Sequence, residues 1–378
     1  MDIGIPHEKR PDENRVSLTP SGVGVLTEQG HRVYVETLAG AGSGFTDQQY
    51  AQMGAQIVYT PAEAWGRGEM VIKVGRPMPQ ELDNLYPGQI LAGFLHLTAG
   101  KRQKVHSFQN TGATALAWEM VQTDSGDLPV LGPVSEIAGR LALQIAARLL
   151  ENQSGGKGTL LSGAPGVPPA EVAIIGAGTV GINAARALTS MGATVYILDK
   201  DLAPLRRVEA NCRHIVTMVS TPHNLRKVIG FADVVIGAIQ VTGARTPVVV
   251  TREMVRNMKP RSVIIDFSID QGGCIETSRP TTLSSPTYIE EGITHYCVPN
   301  ITGAVSRTTT HVFTNATVPY LFAIAEKGLD AAQIDYPELG RGIVIRDGQI
   351  RHKGLADLMA DPAESESGPE TKNAGGVQ

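Results

Sequence analysis

The stretch Glu171–Lys200, EVAIIGAGTVGINAARALTSMGATVYILDK, decides the fold. It opens with an apolar run, Val172–Ile175, short enough for a buried parallel strand. Gly176, Gly178 and Gly181 follow at G-x-G-x-x-G spacing. An alanine-rich helical segment comes next, then a second apolar run, Thr194–Leu198, ending in Asp199. That order is a dinucleotide-binding βαβ unit. Gly176 permits the tight turn, Gly178 lets the backbone approach a pyrophosphate, and Gly181 lets the helix pack close to the strand. The start of the helix offers unpaired N–H groups and a positive dipole end to phosphate. Asp199 lies 18 residues beyond Gly181, where a carboxylate binds both ribose hydroxyls and repels a 2′-phosphate. The predicted cofactor is NAD.

The fingerprint sits in mid-chain, so a domain-sized segment precedes it, and the substrate site is expected there. That segment alternates apolar runs with helical patterns. Strands are predicted at Asp2–Ile5, Arg32–Glu36, Met70–Val74, Ile90–Leu95 and Ala113–Trp118. Thr19-Pro20 reads as an N-cap followed by proline at the first helical position, with Gly30 as the matching stop. A long helix is expected from near Ser135, where Ile137, Leu141, Ile145 and Leu149 form one apolar stripe. After Asp199, helices are predicted near Leu202–Asn211, Thr221–Phe231 and Thr251–Met258. Strands are predicted at Val234–Ala238, Ser262–Phe267 and Thr294–Val298. Helical pattern returns at Thr308–Glu326, where Pro319 should bend or break it.

The expected class is α/β, with two Rossmann-like domains of doubly wound parallel sheet and a cleft between them. The substrate-binding domain is discontinuous, 1–131 plus 308–360, and the NAD-binding domain is 132–307. The tail 361–378 lacks apolar residues and is expected to be disordered.

Composition agrees with such a chain. Its 378 residues suit about two domains. A formal net charge of −4, an aromatic content of 5% and the lack of a basic stripe argue against nucleic acid. No apolar run reaches membrane-spanning length, and the N-terminal MDIGIPHEKR does not read as a signal peptide. Cys212, Cys274 and Cys297 lack metal-ligand spacing and read as reduced thiols of a cytoplasmic protein, so no metal is expected.

Ligands of open α/β sheets bind beyond the carboxyl ends of the strands. Lys73 ends the run MVIK, His96 follows ILAGFL, and Asp270 follows SVIIDFSI; Arg15 lies in the loop PDENRVSLTP after the first strand. Together they offer two cations, a titratable base and a carboxylate. Each also has a plain structural reading: a core histidine, a solvated strand end, a surface loop charge. Asp266 shares a strand face with Asp270 if the strand stays regular, so alternation alone leaves both available.

These residues resemble the alanine dehydrogenases, relatives of the NAD-binding subunit of nicotinamide nucleotide transhydrogenase. The resemblance runs from Ile3 to about Gly328 and rests on PDENRVSLTP, the Lys73 strand, LHLTAG, SEIAGR, GAPGVPPAEVAIIGAGTVG, IDQGGCIETSRPTT and TNATVPY. It implies reversible NAD-dependent oxidative deamination of L-alanine to pyruvate and ammonia. It maps substrate binding onto Arg15 and Lys73, and catalysis onto His96 and Asp270. Family cofactor contacts map onto Ser135, Gly178, Thr179, Val180, Asp199, Ser220, Ile239, Arg279 and Asn300. Gly176 and Gly181 of the fingerprint complete the expected set, with Gln240, Phe267, Ser268, Ile269, Asp270, Val298 and Ile301. The resemblance also implies a homo-oligomer, a hexamer or a dimer.

The chain departs from the family at several points. KVGRP stands for KVKEP, placing Gly75 and Arg76 where a lysine–glutamate pair is usual. Val134 replaces the methionine of PMSE. Thr302 and Ser306 replace two prolines of NMPGAVPRT, and Pro204 stands where a basic residue is common. These changes leave open a related dehydrogenase for another small amino or imino acid. A transhydrogenase NAD-binding subunit is a further alternative. That family has a longer mobile loop after the Asp199-like strand and usually glutamine at the Asp270 position.

Overall fold

A computed structural model describes residues 1–97, 102–241 and 245–360. The tail expected to be disordered, 361–378, lies outside them, as does the end of the LHLTAG motif. Six strands precede the fingerprint: β1 (Asp2–Ile5), β2 (Arg32–Glu36), β3 (Gln56–Val58), β4 (Met70–Gly75), β5 (Ile90–Phe94) and β6 (Thr114–Ala117). The middle of the chain supplies β7 (Glu171–Ile175), β8 (Thr194–Asp199), β9 (Ile215–Val219), β10 (Val234–Gly237), β11 (Val263–Asp266), β12 (Thr287–Glu290) and β13 (Ile293–Tyr296). Two more follow, β14 (Ile343–Arg346) and β15 (Gln349–Ile350).

They form two sheets, ordered β15-β14-β6-β5-β4-β1-β2-β3 and β12-β13-β11-β10-β7-β8-β9. Strands β1–β6 pair in parallel, as do β7–β11 and β13; the antiparallel members, β12, β14 and β15, lie at the sheet margins. The central strands are buried along their length, β4 and β5 completely, as in parallel sheets covered on both faces. Register aligns the carboxyl ends of the second sheet: Ile175 pairs with Leu198 and Gly237, and Gly237 with Asp266.

One helix joins the two cores. Leu131–Leu150 buries Val134 in the first core, and Ala138, Ala142 and Ala146 in the second. It starts at Leu131, four residues before the expected Ser135. Pro133 stands in its first turn, where a missing N–H has no helical partner to lose. The second difference concerns Pro319, which lies within the continuous helix Ser306–Lys327. Pro319 removes the hydrogen bond to the carbonyl of Asn315, an exposed residue, while Phe313, Leu321 and Ile324 hold the helix on the first core.

The fingerprint glycines have distinct steric reasons. Gly176 has φ +106, which side chains rarely adopt. A Cβ on Gly181 would lie 1.9 Å from the Gly176 carbonyl oxygen, whereas one on Gly178 would meet nothing within 4 Å. Gly181→Ala is therefore expected to destabilise the fold by about 1–3 kcal/mol, as overpacking does. Gly178→Ala should melt close to wild type and lose affinity for the nucleotide instead. Thermal melts with NADH fluorescence titrations check both, and equal melting of the two variants would contradict this account.

Candidate active site

A cleft of about 560 Å³ opens beyond the strand ends of both sheets, within the size range of small-molecule sites. The first half of the chain contributes Arg15, Phe94, His96, Glu119 and Met120 to its wall. The second sheet contributes Ile175, Gly176, Leu198, Asp199, Ala238 and Ile239, and the turns after it Asp270, Asn300 and Thr302.

The nucleotide side is built from backbone. Gly178 caps the helix Thr179–Ser190 without a side-chain hydrogen bond, so the first N–H groups of that helix have no side-chain cap and suit an anion. Asp199 is held at the end of β8: Oδ2 accepts from the Ala177 N–H at 2.7 Å and Oδ1 from the Asp201 N–H at 3.0 Å. Ser268 Oγ donates to the Ile239 carbonyl at 2.8 Å and accepts from the Ile239 N–H at 3.0 Å, fixing the segment after β10. An open Gly178 cradle, a free helix start and an acid at the second strand end fit a dinucleotide.

Of the expected cofactor contacts, Ser135, Gly176, Gly178, Thr179, Val180, Asp199, Ser220, Ile239, Gln240, Phe267, Ser268, Asp270, Asn300 and Ile301 line the cleft. Four do not. Gly181 is spent on packing against Gly176, and Ile269 and Val298 are buried inward. Arg279 turns its guanidinium onto the Tyr288 ring, 3.9 Å from the centroid.

His96 follows β5 in the left-handed region, φ +45. Glu119 holds it there: its carboxylate accepts the Leu95 N–H at 3.2 Å and the His96 N–H at 2.5 Å, while Phe94 stacks on the imidazole at 6.3 Å. This acid was readable by the same logic as the others, since it ends the apolar run ALAW.

The two candidate aspartates separate cleanly. Strand β11 ends at Asp266, and a 3-10 turn, Phe267–Gln271, follows, so residues 266 and 270 do not share a strand face. Asp266 is buried and accepts from the Ser268 N–H at 2.9 Å and the Cys274 N–H at 3.1 Å; burial pushes its carboxyl up. It is committed to the turn. Asp270 is half-buried, faces the cleft, and accepts from the Asn300 N–H at 3.2 Å.

The two cations are placed differently. Lys73 does not line the cleft. It is buried, with its ammonium 3.1 Å from Glu8 and 2.9 Å from Glu81 and over the Trp65 ring. Burial works to lower its pKa, but the two carboxylates outweigh this and hold it charged. Arg15 does line the cleft, yet its fork is not free for a substrate. Nε donates to Glu13 Oε1 at 2.7 Å and Nη2 to Glu13 Oε2 at 2.5 Å, leaving the Nη edge. There Nη1 donates to Thr302 Oγ1 at 3.0 Å. Burial pushes the Glu13 carboxyl up, and Arg15 more than offsets this, holding it below the usual carboxylate range. Among the described residues, no cluster of His, Cys, Asp and Glu suits a metal ion, and the three cysteines are buried and free.

Comparison with known proteins gives a consistent picture. Residues 4–138 match the family profile "Alanine dehydrogenase/PNT, N-terminal domain", and residues 142–353 match "Alanine dehydrogenase/PNT, C-terminal domain". The chain is 45% identical over 371 residues to an alanine dehydrogenase of Methanococcus maripaludis, covering 96% of this chain and 99% of that one. It is 44% identical over 380 residues to the alanine dehydrogenase of Bacillus subtilis, covering 99% and 100%. A solved L-alanine dehydrogenase superposes with a TM-score of 0.88 at 42% identity, covering 95% of this chain and 99% of that one. A transhydrogenase from Sinorhizobium meliloti superposes at 0.76 with 24% identity, covering 93% of this chain and 99% of that one, a likeness of fold alone.

The geometry distinguishes Asp266 from Asp270 experimentally. Asp266→Asn puts an amide NH₂ against a buried N–H donor and should cost about 1–3 kcal/mol of stability, with turnover per folded molecule near wild type. Asp270→Asn should melt normally and lose most turnover. Melts and rates on both variants check this; an active Asp270→Asn enzyme would contradict it.

Proposed function

The chain belongs to the alanine dehydrogenase/PNT family, and from that premise we propose that it interconverts L-alanine with pyruvate and ammonia, using NAD. It is an oxidoreductase of the alanine dehydrogenase type, acting on a CH–NH₂ group with a nicotinamide nucleotide. One observation carries the residue-level reading: Arg15, His96 and Asp270, far apart in the chain, line one cleft with the fingerprint turn and Asp199. The substrate-binding part is read as 1–131 plus 308–360 and the nucleotide-binding part as 132–307, in a cytoplasmic homo-oligomer. No helix among the described residues is long and apolar enough to cross a membrane.

The residues divide the work by their chemistry. Gly176, Gly178 and the start of the helix Thr179–Ser190 would hold the pyrophosphate, and Asp199 the ribose hydroxyls. When bound, the nicotinamide supplies the acceptor for the hydride leaving Cα. Arg15 binds the substrate carboxylate through its Nη edge, because Glu13 occupies the fork. Phe94, Met120, Leu131 and Val134 give the cleft an apolar wall suited to a methyl side chain. His96 acts at its imidazole as general base for the water that attacks the imine carbon and as general acid in reverse. Asp270, oriented by the Asn300 N–H, holds the cationic amino group or iminium. Lys73, which the resemblance assigns to substrate binding, is held charged by Glu8 and Glu81. Val134 and Thr302 on the wall also favour a second reading, a dehydrogenase of another small amino or imino acid.

NADH oxidation with ammonia and a panel of 2-oxo acids tests the proposal. Pyruvate should give the highest kcat/KM, and turnover of a different oxo acid but not pyruvate would overturn it. NAD should be preferred over NADP, with Asp199→Ala narrowing the preference; equal use of both by the unmodified protein would remove the role of Asp199. His96→Ala should bind NADH normally and lose roughly 10²–10⁴-fold in turnover, the range for a lost acid–base group. Near-wild-type turnover would leave His96 a structural residue.

A further inference from the structure

Between the second sheet and the helix Ser306–Lys327, the chain crosses the cleft in a short segment. Asn300 enters it in the left-handed region, φ +53, and its N–H is given to the Asp270 carboxylate. Two residues later, Thr302 is 4% exposed and lines the cleft. Its backbone carbonyl accepts from Thr309 Oγ1 at 2.8 Å, which ties it to the first turn of the helix that follows. Its hydroxyl oxygen accepts from Arg15 Nη1 at 3.0 Å.

A hydroxyl that accepts from a guanidinium still has its own proton to give. Among the described residues, that hydroxyl donates no hydrogen bond to a protein acceptor, although the side chain is almost fully buried. Arg15, meanwhile, has committed Nε and Nη2 to Glu13. A carboxylate entering the cleft therefore meets the Nη edge of Arg15 and, beside it, one hydroxyl with a free proton.

We propose that Thr302 is a substrate-binding residue: its hydroxyl and the Nη edge of Arg15 together hold the substrate carboxylate. The hydroxyl adds a neutral donor beside the N–H groups that the Nη edge of Arg15 keeps after serving Glu13 and Thr302, and it lies in the same segment as Asn300, whose N–H holds Asp270. The inference rests on the reading of Arg15 as the carboxylate-binding cation.

The test is steady-state reductive amination by the full chain, with pyruvate varied and NADH and ammonia saturating. Thr302→Val keeps the shape and removes the hydroxyl. It should raise KM for pyruvate roughly 10- to 100-fold, the ratio for losing a hydrogen bond to a charged group. The change in kcat should be smaller than that in KM, and NADH affinity by fluorescence titration should stay unchanged. Thr302→Ser should restore KM to near wild type, which a purely structural role for the methyl group would not allow. Thr302→Ala repeats the measurement if the valine variant folds poorly by thermal melt. A KM within twofold of wild type in the variants without a hydroxyl, or failure of Thr302→Ser to restore it, overturns the proposal. Arg15→Lys tests the underlying reading separately. An unchanged KM there removes the carboxylate site altogether, whereas a raised KM there with an unchanged KM in Thr302→Val removes only the part played by Thr302.

Discussion

The close approach of two helices at Gly139 is the constraint on which the rest depends. A Cβ at this position would lie 2.5 Å from the Val180 carbonyl oxygen and 2.7 Å from Asn183 Cβ. Only glycine lets the helix Leu131–Leu150 lie this near the nucleotide helix Thr179–Ser190. The same long helix buries Val134 in the first core, so one rigid rod fixes the substrate side of the cleft against the nucleotide side. Ser135 and Ala138 reach the cleft from that rod. Moving the rod outward by the size of a methyl group would displace both walls of the site together.

Buried charge is the second organising feature. Lys73 with Glu8 and Glu81, and Arg15 with Glu13, are ionic groups almost fully withdrawn from water. Such pairs add little net stability, because desolvation offsets most of their attraction, but removing one partner strands the other at a cost of about 3–5 kcal/mol. Their effect here is on position. Glu13 presents Arg15 edge-on, Glu119 bends the chain so that His96 faces the cleft, and the Asn300 N–H orients Asp270. Each residue proposed to touch substrate is thus held by a polar partner that the chemistry itself does not consume.

Much of this was legible in the sequence, for physical reasons. Buried parallel strands are short apolar runs, so β1, β4, β5, β7, β8, β10 and β11 were readable to within a residue or two. Strands β9 and β12 are half-exposed edges, and β3 and β15 are too short for any period to show. The fingerprint glycines were legible because each answers a steric demand of a few ångströms. The partners of Lys73 were not legible, because β4 is buried along both faces and alternation says nothing about where its ammonium points. The Asp266 and Asp270 ambiguity dissolved where the strand gave way to a 3-10 turn, a change that no periodicity announces. Glu13 went unread although it lies two residues from Arg15, because a loop gives no rule for which neighbours pair.

In the proposed reading, substrate and nicotinamide meet between Arg15, His96 and Asp270. Its most direct test is a crystal structure of the protein with NADH and oxamate, an unreactive isostere of pyruvate. The oxamate carboxylate is expected within hydrogen-bond distance of the Nη edge of Arg15, with the nicotinamide beside it and His96 facing the carbon that water attacks. Oxamate bound elsewhere, or a nicotinamide ring turned away from His96 and Asp270, would contradict it.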